Sequence, residues 1–209
     1  CWGRLNSQAY RADVTAIVAA TGNGVYQLAG MLAAGGINPN GASLIVFFND
    51  GIPANNRDIV IFNGNDSNVD NPYDASGWNV TLAGINYSAG TANLQLHVAD
   101  GQSFSDGPLI INGFTAIGAG PVFQGTTVPG PSNHNGRLWD IRTVDATPYV
   151  VPGPNKLSLT SYQTSDCLAL VVALVDLPAG AAPVTKPVLT NLSVSCITSS
   201  TALVTWTTN

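Results

Sequence analysis

Short apolar runs, each closed by a turn signal, follow one another along this chain with no crossover helices between them. That rhythm constrains the fold more than any other feature. Leu44–Phe48 (LIVFF), Asp58–Phe62 (DIVIF) and Leu168–Leu177 (LALVVALVDL) are continuous apolar runs, the pattern of strands buried on both faces. Trp78–Leu82 alternates, with Trp78, Val80 and Leu82 inward and Asn79 and Thr81 outward. Gly84 then breaks the phase, which predicts a bulge. Asn93–Val98 alternates as well, with Leu94, Leu96 and Val98 inward. Pro108–Ile117 reads as a hairpin turning at Asn112-Gly113, a dipeptide suited to a type I′ turn. Further Asn-Gly pairs at Asn23, Asn40, Asn63 and Asn135 are expected to mark turns. Val25–Ala33, Leu138–Thr143 and Lys156–Tyr162 read as additional strands, and residues 11–20 as a turn or two of helix. Strands joined without crossovers pair antiparallel, and two sheets packed together dispose of their edges. The expected class is all-β: an antiparallel, jelly-roll-like β-sandwich.

Composition agrees. Every acidic residue is Asp, and lysine occurs only at Lys156 and Lys186. Good helix formers are therefore scarce, while Asn, Gly, Ser and Thr supply the polarity. Only 9% of residues are charged, against roughly 25% in ordinary soluble domains. With 45% hydrophobic residues the chain is not of the disordered type. A formal net charge of −5 without a basic cluster argues against nucleic acid as a partner. No apolar run reaches membrane-spanning length. Light charge and abundant Asn and Thr suggest an extracellular or cell-surface location.

The organisation reads as a sandwich over residues 1–178, a linker over 179–187 (Ala, Gly and Pro without an apolar face) and a segment over 188–209. Within that last segment Leu192, Val194 and Cys196 share one face, and Ala202, Val204 and Trp206 share one face of the next strand. This pair of strands resembles the start of a fibronectin type III or immunoglobulin-like domain, where Trp206 would be the inward aromatic of the second strand. Two strands are marginal alone, so the pair is expected to be an incomplete domain or a donor of strands to another sheet.

Four stretches, AYRADVTAIV, GVYQLAG, GASLIVFFND and RDIVIFNG, resemble a poorly characterised β-sandwich module of secreted bacterial and archaeal surface proteins. LWDIRTVD and DCLALVVALVDLP are similar to its closing strands. The resemblance covers roughly residues 9–178. It implies an ADVT turn leading into a strand, a sandwich here short of N-terminal strands, and no enzymatic activity to carry over.

Candidate chemistry is sparse. His97 falls on the outward face of its strand beside Asn93 and Gln95, as a solvated residue would. His134 sits in a turn-rich loop. Neither a G-x-S-x-G elbow nor a zinc-spaced His pair is present, and Asp140 and Asp145 are a weak acid pair. The chain therefore reads as no enzyme. Asp66, Asp70 and Asp74, in a loop that also carries Asn63, Asn65 and Asn68, offer hard oxygens for a structural calcium, the single cofactor considered. Cys1 and Cys167 are the expected disulfide among three cysteines. Asn79, Asn86 and Asn191 head glycosylation sequons. Trp2, Tyr73, Tyr87, Trp139 and Tyr162 are aromatics that could stack on sugar, with Trp139 and Tyr162 the named pair. Trp78 and Trp206 read as core.

The function expected from sequence is a non-enzymatic structural or adhesive surface protein, part of a multidomain stalk or of a polymer held by exchanged strands. Its partners would be further copies or flanking domains. The alternative is a glycan-binding module of a larger secreted protein.

Overall fold

The computed structural model describes residues 7–30, 39–72, 75–128, 138–162, 166–180, 189–195 and 203–208. The chain forms two compact units, Cys1–Ala179 and Gly180–Asn209. Among the described residues of the first unit, eight strands make two four-stranded antiparallel sheets. The strands are β1 (Arg57–Ser67), β2 (Trp78–Tyr87), β3 (Asn93–Ala99), β4 (Leu109–Ile111), β5 (Phe114–Ile117), β6 (Trp139–Asp145), β7 (Gly153–Ser161) and β8 (Ala169–Pro178). One sheet has the order β1-β8-β3-β6 and the other β2-β7-β4-β5. This is jelly-roll connectivity, in which sequential strands pass back and forth between the sheets. All eight of these strands lie between Arg57 and Pro178. The second unit holds an antiparallel pair, β9 (Leu189–Ser195) and β10 (Leu203–Thr208). Cys196, Ala202 and the side chain of Trp206 lie outside the described residues.

The core follows the alternation. Trp78, Leu82 and Ile85 of β2, Leu94, Leu96 and Val98 of β3, Leu157 and Leu159 of β7, and Leu170 and Val175 of β8 are buried between the sheets. Burying side chains of this kind at roughly 1.5–3 kcal/mol each is the main favourable contribution to the fold. The β2–β7 ladder shifts register between Ala83 and Ile85, with Gly84 at φ 81° supplying the left-handed residue of the expected bulge. Asn112 (φ 51°) and Gly113 (φ 81°) turn the β4–β5 hairpin in the expected place. Asn63-Gly64 does not turn the chain. It falls inside β1, where the pairing with β8 shifts between Asn63 and Asp66.

The N-terminal stretch departs from its reading. A helix α1 (Thr15–Thr21) occupies the expected place, but the ADVT turn leads into this helix and not into a strand. Residues 25–30 have no regular structure, and the run Leu44–Phe48 forms no strand either. Phe48, at the end of that run, is 82% exposed. The segment that carries it lies against the outer face of the β1-β8-β3-β6 sheet and is held there by side chains.

Ser43 makes that attachment. Trp139 Nε1–H donates to Ser43 Oγ at 2.9 Å, and Ser43 Oγ lies 2.8 Å from His97 Nδ1. With a lone pair used by the indole, the serine donates its proton to Nδ1, which leaves Nε2–H to donate to Gln95 Oε1 at 3.0 Å. Both expected surface residues are therefore buried: His97 is 2% exposed and Trp139 8%. The alternation places His97 outward correctly, but outward is not solvent where a third layer covers the sheet. Trp139 packs with Ala99 and Ala169 in a separate small cluster on this face. Burial lowers the His97 pKa, which favours the neutral ring the hydrogen bonds require. Gly41 completes the contact, because a Cβ there would sit 2.7 Å from Trp139 Cβ and Cγ.

Ser43→Ala is expected to leave a buried indole N–H and an imidazole nitrogen without partners. The loss should be about 1–3 kcal/mol in urea unfolding. An unchanged midpoint would mean that Ser43 contributes nothing to holding this layer.

Candidate functional site

One end of the sandwich carries the loops that follow β1, β3, β5 and β7. Buried polar side chains tie them together. Asn68 joins two of them, with Leu168 N–H donating to Asn68 Oδ1 at 2.8 Å and Asn68 Nδ2 donating to Asp166 O at 3.1 Å. Asp166 accepts from Gln102 N–H at 3.0 Å and from Cys167 N–H at 2.8 Å. Asp106 Oδ2 accepts from Val122 N–H at 2.9 Å and Phe123 N–H at 2.6 Å. Asp140 accepts from Gly125 N–H at 2.7 Å and from the Thr127 hydroxyl at 2.7 Å. The acids thus organise the loops through backbone N–H groups, which offset their removal from water.

Desolvation still dominates for two of them. It pushes the Asp106 carboxyl up to about 6, against the pull of the Phe123 and Val122 N–H groups. Asp140 adds repulsion and Arg142 a smaller attraction. Desolvation likewise pushes Asp166 up to about 6, with Asp106 and Asp100 adding repulsion. Among the described residues, nothing donates a hydrogen bond to Asp106 Oδ1. Of these braces the sequence names only Asn68, as a calcium-loop oxygen, and Asp140, as half of a weak acid pair. They lie far apart along the chain and share no motif, so only the fold brings them together.

On the rim of this end stand two aromatics. Tyr162 is 52% exposed, and Phe104 is partly exposed on the loop after β3. Tyr162 is fixed from behind: a Cβ on Gly77 would meet its Cδ1 at 2.9 Å. A Cβ on Gly107 would meet the Tyr162 carbonyl oxygen at 2.2 Å, so the loop bearing Phe104 packs directly on the Tyr162 backbone. Exposed Ser103 and Ser105 and the half-exposed Gln102 flank Phe104.

The remaining sequence candidates scatter. Asp66 lies at the end of β1, where its Oδ2 accepts from Asn79 N–H at 3.0 Å. Asp70 is exposed in the following loop, and Asp74 lies outside the described residues. Among the described residues no three metal-binding side chains converge. Asn79 and Asn86 are exposed on β2, while the side chain of Asn191 in β9 is outside the described residues. Cys167 is disulfide-bonded, and Cys1, its expected partner, lies outside the described residues. So do Trp2, Tyr73 and His134. Tyr87 is buried in the core. Asp145 is exposed and caps Thr147 at the far end of β6 from Asp140, so the two do not act together. A cleft of about 100 Å³ opens where β1 bulges, lined by Phe62, Val80, Leu82 and Leu170. It is well below the roughly 300–1,000 Å³ of small-molecule pockets.

No family model matches this chain, and no curated protein matches it. Among solved structures it is similar to the native structure of a family 35 carbohydrate binding module from Clostridium thermocellum. The identity is 16%, the match covers 56% of this chain and 90% of that one, and the TM-score is 0.32. A likeness that distant assigns nothing to this chain.

The raised carboxyls fix a pH dependence. Their unfolded pKa is near 3.8 and their folded value about 6, so the native state takes up protons first. Their contribution is fully present below the unfolded pKa and is lost as pH rises through the folded one. Lowering pH from about 7.5 to about 5 should therefore raise stability by on the order of 1 kcal/mol per group, or several degrees in thermal midpoint. Asp106→Asn keeps an acceptor for the Val122 and Phe123 N–H groups and should remove its share of the slope. A thermal midpoint that falls over this window would contradict the assignment.

Proposed function

We propose that the chain is a non-enzymatic, extracellular glycan-binding module, with Tyr162 as its stacking platform. The observation that carries this reading is a half-exposed ring braced from behind by glycine backbone on a rigid loop end. A pyranose ring presents an apolar C–H face and a rim of hydroxyls. An immobile aromatic accommodates the first at little entropic cost, and nearby amides and hydroxyls serve the second. Phe104 extends the apolar surface, while Gln102, Ser103 and Ser105 supply polar groups beside it. Function in such a fold belongs to loops on a rigid scaffold. Trp139, the other aromatic named from sequence, is buried beneath Gly41 and Ser43 and is no part of the platform.

Catalysis has little to draw on. His97, the imidazole among the described residues, is buried between Ser43 and Gln95. The buried acids accept from loop N–H groups, Asp106 through Oδ2 alone. The reading needs no cofactor, and calcium in the loop of Asp66 and Asp70 would have a structural part only. The structural or adhesive role is the second reading, and a different feature favours it: the apolar arm ahead of β1.

The test is titration of the full chain against a panel of soluble polysaccharides by affinity electrophoresis and calorimetry. Saturable binding is expected, and Tyr162→Ala should weaken it by about tenfold or more, with an unchanged thermal midpoint. Phe104→Ala should weaken it less. Failure to bind any polysaccharide, or binding indifferent to Tyr162→Ala, would sink this reading.

A further inference from the structure

We infer that the apolar N-terminal arm, residues 7–30 and 39–52, is an interface through which two copies of this chain associate. The arm is attached to the sandwich by few polar contacts among the described residues. Arg11 donates to Asn63 Oδ1 at 2.8 Å, Asn65 Nδ2 donates to Ser7 O at 2.9 Å, and Ser43 binds His97 and Trp139. Its large apolar side chains are meanwhile left facing water. Tyr10, Ile17, Leu28, Phe47 and Phe48 are exposed, and Val25 is 98% exposed.

Helix α1 sharpens the point. It has seven residues, no side-chain N-cap and no buried residue. Nucleation makes a helix this short unfavourable in water, and in proteins the compensation comes from packing an apolar face. Its sequence, TAIVAAT, has the apolar face, but none of the described residues buries it.

Area points to a protein partner of ordinary size. Tyr10, Phe47 and Phe48, which are 88%, 57% and 82% exposed, present roughly 350–550 Å² by themselves, and Ile17, Val25 and Leu28 add to it. The largest apolar patch on a typical monomer is about 300–600 Å². A standard interface takes about 800 Å² from each partner. Charge points to a second copy. The chain carries a net charge of −5, yet the arm contributes only Arg11, Asp13 and Asp50. An acidic protein meets its own copy with least repulsion where its charges are fewest, whereas a basic partner would be drawn to the acidic remainder. An apolar, nearly neutral surface is also self-complementary, as a two-fold interface must be.

This inference stands apart from the glycan reading, because it uses none of the loop-end residues. If both hold, a dimer presents two Tyr162 platforms and gains avidity on a repeating polymer.

Sedimentation equilibrium on the full chain tests it. A reversible dimer or larger closed assembly is expected in the micromolar range. Val25→Asp combined with Phe48→Asp should weaken self-association on the order of tenfold or more, with the circular dichroism and tryptophan fluorescence of the fold retained. Phe114→Asp, an exposed apolar position on β5, should leave the assembly as it was. A monomer at high micromolar concentration overturns the inference and gives the arm to another occupant. Equal loss with Phe114→Asp also overturns it, because association would then be generic adhesion of apolar surface.

Discussion

The architecture turns on the two-sided burial of β8. A sandwich gives each strand one dry face, and alternation of apolar and polar residues usually reflects that. The β8 sequence ALVVALVDLP does not alternate, and Ala169, Leu170, Ala173, Leu174 and Val175 are all buried. One face is satisfied by the β2-β7-β4-β5 sheet. The other needs a further layer, and the segment around Gly41 and Ser43 provides part of it. Backbone cannot be laid over an apolar face without partners for its polar groups and those beneath it. Here the Ser43 hydroxyl resolves the polar groups beneath, accepting from Trp139 and donating to His97. On that outer face Trp139, beneath Gly41, packs against Ala169 of β8, so the covering segment reaches β8 through the indole.

The loop end solves the opposite problem, holding long loops in a chain with few charges. Asp106, Asp140 and Asp166 each gather N–H groups from segments distant in sequence. Arg57–Asp176 at 2.6 Å, by contrast, is a partly exposed pair on the strands and contributes little beyond the register it marks. Buried carboxylates cost desolvation that N–H donors only partly offset, and the raised carboxyls of Asp106 and Asp166 express what remains of that cost. In return the loops are fixed through their backbones, which leaves their side chains free to face solvent. Tyr162 owes its rigidity to this: its support is the backbone of Gly77 and Gly107, and those loops are themselves held by Asn68 and Asp106.

Strands from residue 57 onward are legible in the sequence because their information is local. Period-two alternation, the phase break at Gly84 and the Asn112-Gly113 turn each specify geometry within a few residues. The jelly-roll class follows from the order of such elements. What local pattern cannot supply is the count of layers. LIVFF and DIVIF are alike in composition, yet DIVIF enters β1 and LIVFF lies outside every sheet. Pairing partners decide between them, and these sit at the other end of the unit, as Asp58 opposite Leu177 shows. Trp139 is misread for the same reason, since facing outward equals exposure only in a two-layer fold. Tyr162 is exposed, as a stacking residue must be, but it lies just past the strand and not in it: β7 ends at Ser161, one residue short of the strand read over Lys156–Tyr162. The acids of the loop end offer no comparable signal.

Exposure in this molecule is thus of two physical kinds. At the loop end it is surface with rigid support, where a side chain is presented and little order has to be gained on binding. Along the arm it is surface without support, where a short helix and a run of aromatics have conformational order that their own contacts do not account for. Binding to the first kind adds contacts to a structure already formed, so no cost of ordering the protein is deducted from them. Binding to the second kind also stabilises the arm itself, so association and arm structure are thermodynamically linked. The two surfaces share the scaffold, but ordering the arm acts on the outer face of the β1-β8-β3-β6 sheet. Among the loop-end braces, Asp140 belongs to that sheet and stands next to Trp139 in β6.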